Sequence, residues 1–361
     1  MKKTKIREPL FHIVKRAAIS TPKAWAIRIV AVILALIVSA VFITIIIGQN
    51  PIRVYQSMIS GAFGTERRIW NMLQALAMLL CVSLAVTPAF KMRFWNIGAE
   101  GQVLVGGLAT AAAMHYFGGN MPTPLLWVVM IAASIVAGII WGVIPAFFKA
   151  NWNTNETLFT LMMNYVAIQL VSFFTTLWDK SGHSTLAPMP EYGFPRVGPS
   201  AYFLNIIIVA VLTVLVYIYL RFSKHGYEVA VVGESENTAK YIGINVKKVI
   251  IRTMLLSGAL CGISGLLLVG GTNHTIDTAT AGGRGFTAIM VSWLAKFNPL
   301  YMVITSFLVV FLQAGANQIV SDFGMTNNYI SDIITGIILF FIIGCEFFIN
   351  YQIKFKEKEA K

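Results

Sequence analysis

"AIRIVAVILALIVSAVFITIIIG", residues 26–48, decides the class of fold. Arg28 stands near its start, and beyond it only Ser39 and Thr44 interrupt the apolar and small residues. A helix needs about 20 apolar residues to cross the hydrocarbon of a bilayer, and this run supplies them. It is too long for the core of a cleaved signal peptide and reads as a retained anchor. Working outward, comparable segments lie at about 72–90, 98–117, 124–148, 157–177, 202–220, 249–271, 285–297, 300–318 and 330–349. The segment at 285–297 is too short to span comfortably. Of the 361 residues, 57% are hydrophobic and 12% charged, and the mean hydropathy is +0.72. Soluble domains carry roughly 25% charged residues, so the chain reads as an all-α polytopic membrane protein of about ten transmembrane segments.

Charge sets the orientation. Of the 28 Lys and Arg, all but Arg53, Arg67, Arg68, Lys180, Arg196 and Arg284 fall on the side of the N-terminus, which predicts N-in and C-in. The same distribution explains the net charge of +13 without a nucleic-acid partner, because the basic residues gather at the ends of apolar spans. The organisation that follows is a basic inner segment (1–26), a membrane domain (27–350) and a basic inner tail (351–361). Cys81, Cys261 and Cys345 all lie in apolar runs with no metal-type spacing, which predicts small core hydrophobes and neither a zinc site nor a disulfide framework. No P-loop, zincin or nucleophile-elbow motif occurs, so the chain carries no recognisable hydrolytic machinery.

Two loops are long. The outer one, residues 178–200, contains four prolines, which forbid regular helix. The inner one, residues 221–248, carries a short helical pattern. Ala239, Ile242 and Val246 fall near one face, Glu236 sits in the first turn and Lys240 four residues on. Such a helix either docks a cytoplasmic partner or rests on lipid headgroups. The acids Glu234 and Glu236, with Asn237, favour a protein partner.

"FWNIGAEGQVLVGG", residues 94–107, places Asn96, Glu100, Gln102 and a group of glycines just after Lys91 and Arg93. One reading is a broken helix lining a translocation path. The other is an inner-surface helix start, with Asn96 as N-cap and Glu100 favoured by the helix dipole. The residues alone leave both open. "TAGGRGFTAIMVSWLAKFNPL", residues 280–300, repeats the pattern of clustered glycines before a short apolar piece, a pointer to a central site in transporters. Gly258 and Gly262 form a close-packing helix face. In "NETLFTLMMNYVAI", residues 155–168, Asn155 can cap a helix and Glu156 suits its first turn. Asn164 lies two turns deeper and must find a hydrogen bond, either as interhelical glue or as a substrate contact.

These blocks resemble ABC-transporter permeases of the nucleoside and simple-sugar type, within the broader group that includes ribose and branched-chain amino-acid permeases. The first block resembles that family's N-I-G-A-E-G-Q signature, and 155–168 its N-E-x-x-x-T-[IL]-M-x-N-Y segment. "VVGESENTAKYIGI", residues 231–244, resembles its cytoplasmic loop, and "GFTAIMVSWLAKFNPL", residues 285–300, its Gly-Phe stretch. Ser235-Glu236 stands where the family has Asn-Pro, and Lys240 where it has Arg. Ser235 can still cap the helix.

The resemblance implies a multi-pass subunit of the bacterial cell membrane that binds no cofactor, with ATP used by a separate cytoplasmic ABC ATPase. It also implies a second, related permease subunit and an extracytoplasmic substrate-binding lipoprotein. It favours the path-lining reading, with Asn96, Glu100, Gln102 and Asn164 as candidate substrate-path residues and Glu234, Glu236 and Lys240 as candidate ATPase-coupling residues. Trp95 and Trp293 offer an aromatic face to a nucleobase or anchor at the interface. The alternative is an ion-coupled secondary transporter acting alone, which needs a buried acid or histidine relay. Asp332, Glu346 and His115 stand at span ends, which argues against one.

Overall fold

The computed structural model describes residues 11–16, 19–179, 186–324 and 329–355. The rest of the basic N-terminal segment and of the tail, part of the outer loop including Lys180, and the side chain of Asp332 lie outside the described residues.

The long helices fall where hydropathy put them: α1 (Thr21–Phe42), α3 (Glu66–Lys91), α4 (Ala99–Phe117), α5 (Thr123–Trp152), α6 (Glu156–Trp178), α7 (Phe203–Phe222), α10 (Val246–Leu268), α12 (Pro299–Asp322) and α13 (Tyr329–Asn350). A short helix α11 (Arg284–Leu294) occupies the eighth predicted segment. At 1.5 Å per residue it reaches only about half of the ~30 Å hydrocarbon thickness. Three further helices appear in stretches read as loops: α2 (Pro51–Phe63), α8 (Lys224–Glu234) and α9 (Glu236–Tyr241), of which only α9 was expected. Among the described residues, eight helical segments are long and apolar enough to span a membrane. Of the predicted ten, α4 and α11 fall short, α4 because its first turns are polar and glycine-rich and α11 because of its length.

The contacts divide the chain into two compact units. One comprises residues 1–65 and 312–361. Within it α1 packs on α13, and Arg28 meets Glu346 at 2.8 Å. A two-stranded antiparallel ribbon joins β1 (Phe11–Lys15) to β2 (Tyr351–Phe355), a small exception to the all-α expectation.

The other unit, residues 66–311, holds the motifs. Its centre is α10 with α3, α4 and α5 around it. The most apolar window of α3 is 83% buried and that of α10 72%, against 22% for α5 and 28% for α7. The outer helices therefore turn Leu, Val, Ile and Phe side chains to lipid, while the inner ones are packed on small residues. A methyl group added at Gly258 would lie 2.3 Å from the Gly138 carbonyl oxygen, and one at Gly262 2.2 Å from that of Ser134. The Gly258/Gly262 face is thus the seam along which α10 meets α5, as its spacing predicted.

Candidate functional site

Helix α3 ends in a left-handed turn at Arg93 (φ 61°), with Phe94 N donating to the Ala89 carbonyl at 2.9 Å. This is the Schellman closure usually built on glycine. The chain then runs non-helically to Gly98 before α4 begins. Phe94, Asn96 and Gly98 are buried, and irregular backbone sealed inside protein needs polar partners for its amides.

Those partners are the polar residues of the motifs. Asn96, fully buried, accepts from Gly98 N at 3.1 Å and donates to Ser257 Oγ of α10 at 3.2 Å. Gln102 donates to Asn96 Oδ1 at 3.3 Å. Asn164 of α6 donates to the Ile97 carbonyl at 2.9 Å and accepts from Gly101 N at 2.8 Å. Thr160, one turn earlier on α6, accepts from Ile97 N at 3.2 Å. One amide side chain thus satisfies an acceptor within the break and a donor in the first turn of α4.

Glu100 does something different. Its two carboxylate oxygens accept from Gly283 N and Gly285 N, each at 2.7 Å. An ionised carboxylate receiving two backbone N–H groups at a helix start combines charge-assisted hydrogen bonds with the favourable end of the helix dipole. Helix α11 therefore hangs from α4 by its first turn. The glycines make this approach feasible. Gly282 and Gly283 adopt left-handed angles (φ 62° and 70°), and a methyl group on Gly285 would fall 2.4 Å from Glu100 N. The two glycine-rich stretches that share a pattern in the sequence meet at this tie.

The sequence predicted Asn96, Glu100, Gln102 and Asn164 as polar lining of a path, and the structure brings all four together. Their exposures are 0%, 8%, 1% and 3%, and their hydrogen bonds go to one another, to Ser257 and to backbone. Asn96 is not the N-cap of α4. That place is Gly98, with no side-chain cap. The partners Ser257, Thr160, Gly283 and Gly285 were not singled out as such, although Gly283 and Gly285 stand in the quoted stretch 280–300.

At the inner surface, Ser223 caps α8 and Ser235 caps α9, accepting from Gly226 N at 2.9 Å and Thr238 N at 3.2 Å. Glu234 closes α8, and Glu236 and Lys240 face each other along α9 at 4.0 Å, all three exposed. Arg252 of α10 holds Glu228 of α8 at 2.7 Å, and this hydrogen-bonded guanidinium keeps the Glu228 carboxyl below its usual range. Ala239, Val229 and Val232 enter one apolar cluster with Met92, Phe94, Ala146 and Met254. The surface helices thus rest on the residues that open the break. Tyr241, 92% exposed, is the last residue of α9, and Ile242 follows it at a turn formed by Gly243 (φ 83°). Sequence reading placed Ile242 on the helix face and passed over Tyr241.

At the outer end, a cavity of about 690 Å³ lies between the 190–202 stretch and the end of α10, with Trp127, Glu191, Arg196, Tyr202 and His274 in its walls. His115 stacks on Trp178 with ring centroids 5.2 Å apart. With Glu346 engaged by Arg28, the described residues hold no group of three or more His, Cys, Asp or Glu placed to bind a metal ion.

A polytopic helical unit with a polar-sealed break, a short helix hung within it and a capped surface helix on the same cluster defines a transport permease. The chain belongs to the family described as branched-chain amino acid transport system / permease component, which matches residues 68–343. It is similar to the guanosine ABC transporter permease protein NupP of Bacillus subtilis, 28% identical over 91% of this chain and 94% of that protein. It is also similar to the nucleoside ABC transporter permease protein NupB of Lactococcus lactis, at 27% over 88% and 90%. The glucose ABC transporter permease protein TsgB13 of Haloferax volcanii is 28% identical over 91% and 90%. The chain is the membrane-spanning permease subunit of an ABC importer, a multi-pass plasma-membrane protein of a class that works with an ATPase and a substrate-binding partner. A lone ion-coupled transporter is not favoured.

Proposed function

We propose that this subunit imports nucleosides, with ATP hydrolysed by a separate cytoplasmic ATPase. A second, related permease chain would complete the path, and an extracytoplasmic lipoprotein would deliver cargo. Relatives named for guanosine and nucleosides, covering most of both chains, support this cargo over the glucose of a third. The observation that carries the mechanism is the continuity of α9, through Ala239, with Met92 and Phe94 at the break.

In this reading α9 and the end of α8 seat in the ATPase, through Glu234, Glu236, Lys240 and the exposed Tyr241. Nucleotide state then biases two arrangements of the membrane helices, as coupling between sites requires. Asn96, Gln102 and Asn164 keep the broken segment bordering the path in shape, and Glu100 makes α11 move with α4. The outer cavity, with Arg196 and Glu191, suits the docking face of the binding protein. No bond in the cargo is made or broken, so the chain needs no catalytic residue of its own.

Uptake of radiolabelled guanosine into proteoliposomes holding the whole assembly tests this. Uptake is expected to require ATP, to be outcompeted by nucleosides and not by glucose, and to vanish in the Glu234→Arg/Glu236→Arg variant. Uptake driven by an ion gradient without ATP, or by this chain with no companion, overturns the reading.

A further inference from the structure

A second cavity, of about 380 Å³, opens on the inner side of the motif unit. That is within the range of small-ligand clefts, which starts at about 300 Å³. Its walls carry four aromatic rings from two distant segments. Trp95 and Trp293 lie 5.6 Å apart at 38°, Phe90 stands edge-on to Trp95 at 5.7 Å, and Phe297 edge-on to Trp293 at 5.8 Å. Lys91 and Arg93 line the cavity on one side and Glu234 on the α8 side. Trp95 and Trp293 are 44% and 50% exposed, so their ring area is open to an occupant.

The backbone around this cavity is strained. Among the described residues, the non-glycine left-handed positions are Arg93, Asn153, His274, Lys296 and Phe297. Arg93 and Phe297 line the cavity and Lys296 adjoins it. Each such residue costs about 1–3 kcal/mol, and such residues collect at ligand clamps and switch regions.

We propose that this cavity is a cytoplasmic binding site for a phosphorylated planar heterocycle, of the purine nucleoside monophosphate class. The base stacks on the Trp95–Trp293 pair, as bases stack on aromatic platforms. The phosphate meets Lys91 and Arg93, and Glu234 accepts from the N–H edge of the base. A lipid phosphate shares the two cations but brings no planar ring to stack on the Trp95–Trp293 pair. Because Ala230, Gly233 and Glu234 of α8 form one wall, an occupant bears directly on the surface helices, and the site can report the cytosolic nucleotide pool to the importer. The chemistry comes from the cavity and does not depend on the cargo.

Equilibrium dialysis of radiolabelled GMP against the assembled transporter in nanodiscs tests the site, with the ATPase sites saturated by a non-hydrolysable ATP analogue. One saturable site per chain is expected. Affinity should fall about tenfold in Trp293→Ala, the loss of one base stack, and by a similar factor in Lys91→Gln. Guanosine should bind more weakly than GMP, and dioctanoyl phosphatidylglycerol should not displace it. Trp293 is half exposed, and tryptophan fluorescence quenching by GMP in the unmutated assembly gives a second readout that needs no variant. Any of four results overturns the proposal: no saturable binding, equal binding by the variants, guanosine binding as tightly as GMP, or displacement by the lipid. ATP-dependent uptake can fail or succeed independently of all of these, so the two readings are separable.

Discussion

Helices α4 and α6 begin with nearly the same letters, Asn-Ile-Gly-Ala-Glu and Asn-Glu, and use them in opposite ways. At α6 the local rules hold. Asn155 caps the helix, accepting from Leu158 N at 3.1 Å, and Glu156 sits in the first turn paired with Lys149 at 2.9 Å. At α4 the Asn is spent on sealing a break, the cap is a glycine, and the acid serves the start of a helix 183 residues away in the chain. An acid in a first turn therefore does not say which helix it stabilises. It is a tertiary tie when glycines let a second helix start reach its carboxylate.

The contrast orders the expected effects. Glu100→Ala leaves the buried Gly285 amide and the more open Gly283 amide without their acceptor and should destabilise the assembly by about 3–5 kcal/mol, the scale of two hydrogen bonds to a charged group. Thermal unfolding of the purified assembly reads this. Hydrogen exchange at the Gly283 and Gly285 amides should accelerate with it. Asn164→Ala removes one donor and one acceptor from the break and should cost about 2–3 kcal/mol. Asn164→Asp, which sets a carboxylate oxygen against the Ile97 carbonyl in a buried site, should not recover it. Asn155→Ala removes an ordinary cap, worth about 1 kcal/mol. Glu156→Gln removes the charge of the Lys149 pair but keeps an amide oxygen that can accept from Lys149, and should cost about 1 kcal/mol, the scale of one hydrogen bond. If the two glutamates proved equal, the distinction between tie and local pair would fail.

Much of this was legible from sequence where the signal is local. Span bounds, the Asn155 cap, the Ser235 cap with Glu236 and Lys240, and the Gly258/Gly262 seam each rest on residues within a few positions of one another. Helix α2 escaped because Arg53 and the polar residues around Gln56 lower its hydropathy. Its buried positions Val54, Met58 and Ala62 nonetheless recur at four-residue spacing, a helical signal. The β1–β2 ribbon was invisible, since each strand is defined only by a partner more than 300 residues away in the chain. The sequence singled out the polar motif residues as candidate lining of a path. That Asn96 and Asn164 seal backbone and Glu100 holds α11 depends on which segments become neighbours, and no spacing in a single chain encodes that.

The most direct measurement compares Glu100→Ala with Glu156→Gln in ATP-driven guanosine uptake, normalised to correctly assembled transporter. The account expects the first to lose roughly tenfold or more, because α11 no longer moves with α4 and each tenfold corresponds to about 1.4 kcal/mol, and the second to keep most of the unmutated rate. Equal uptake by the two variants would contradict it.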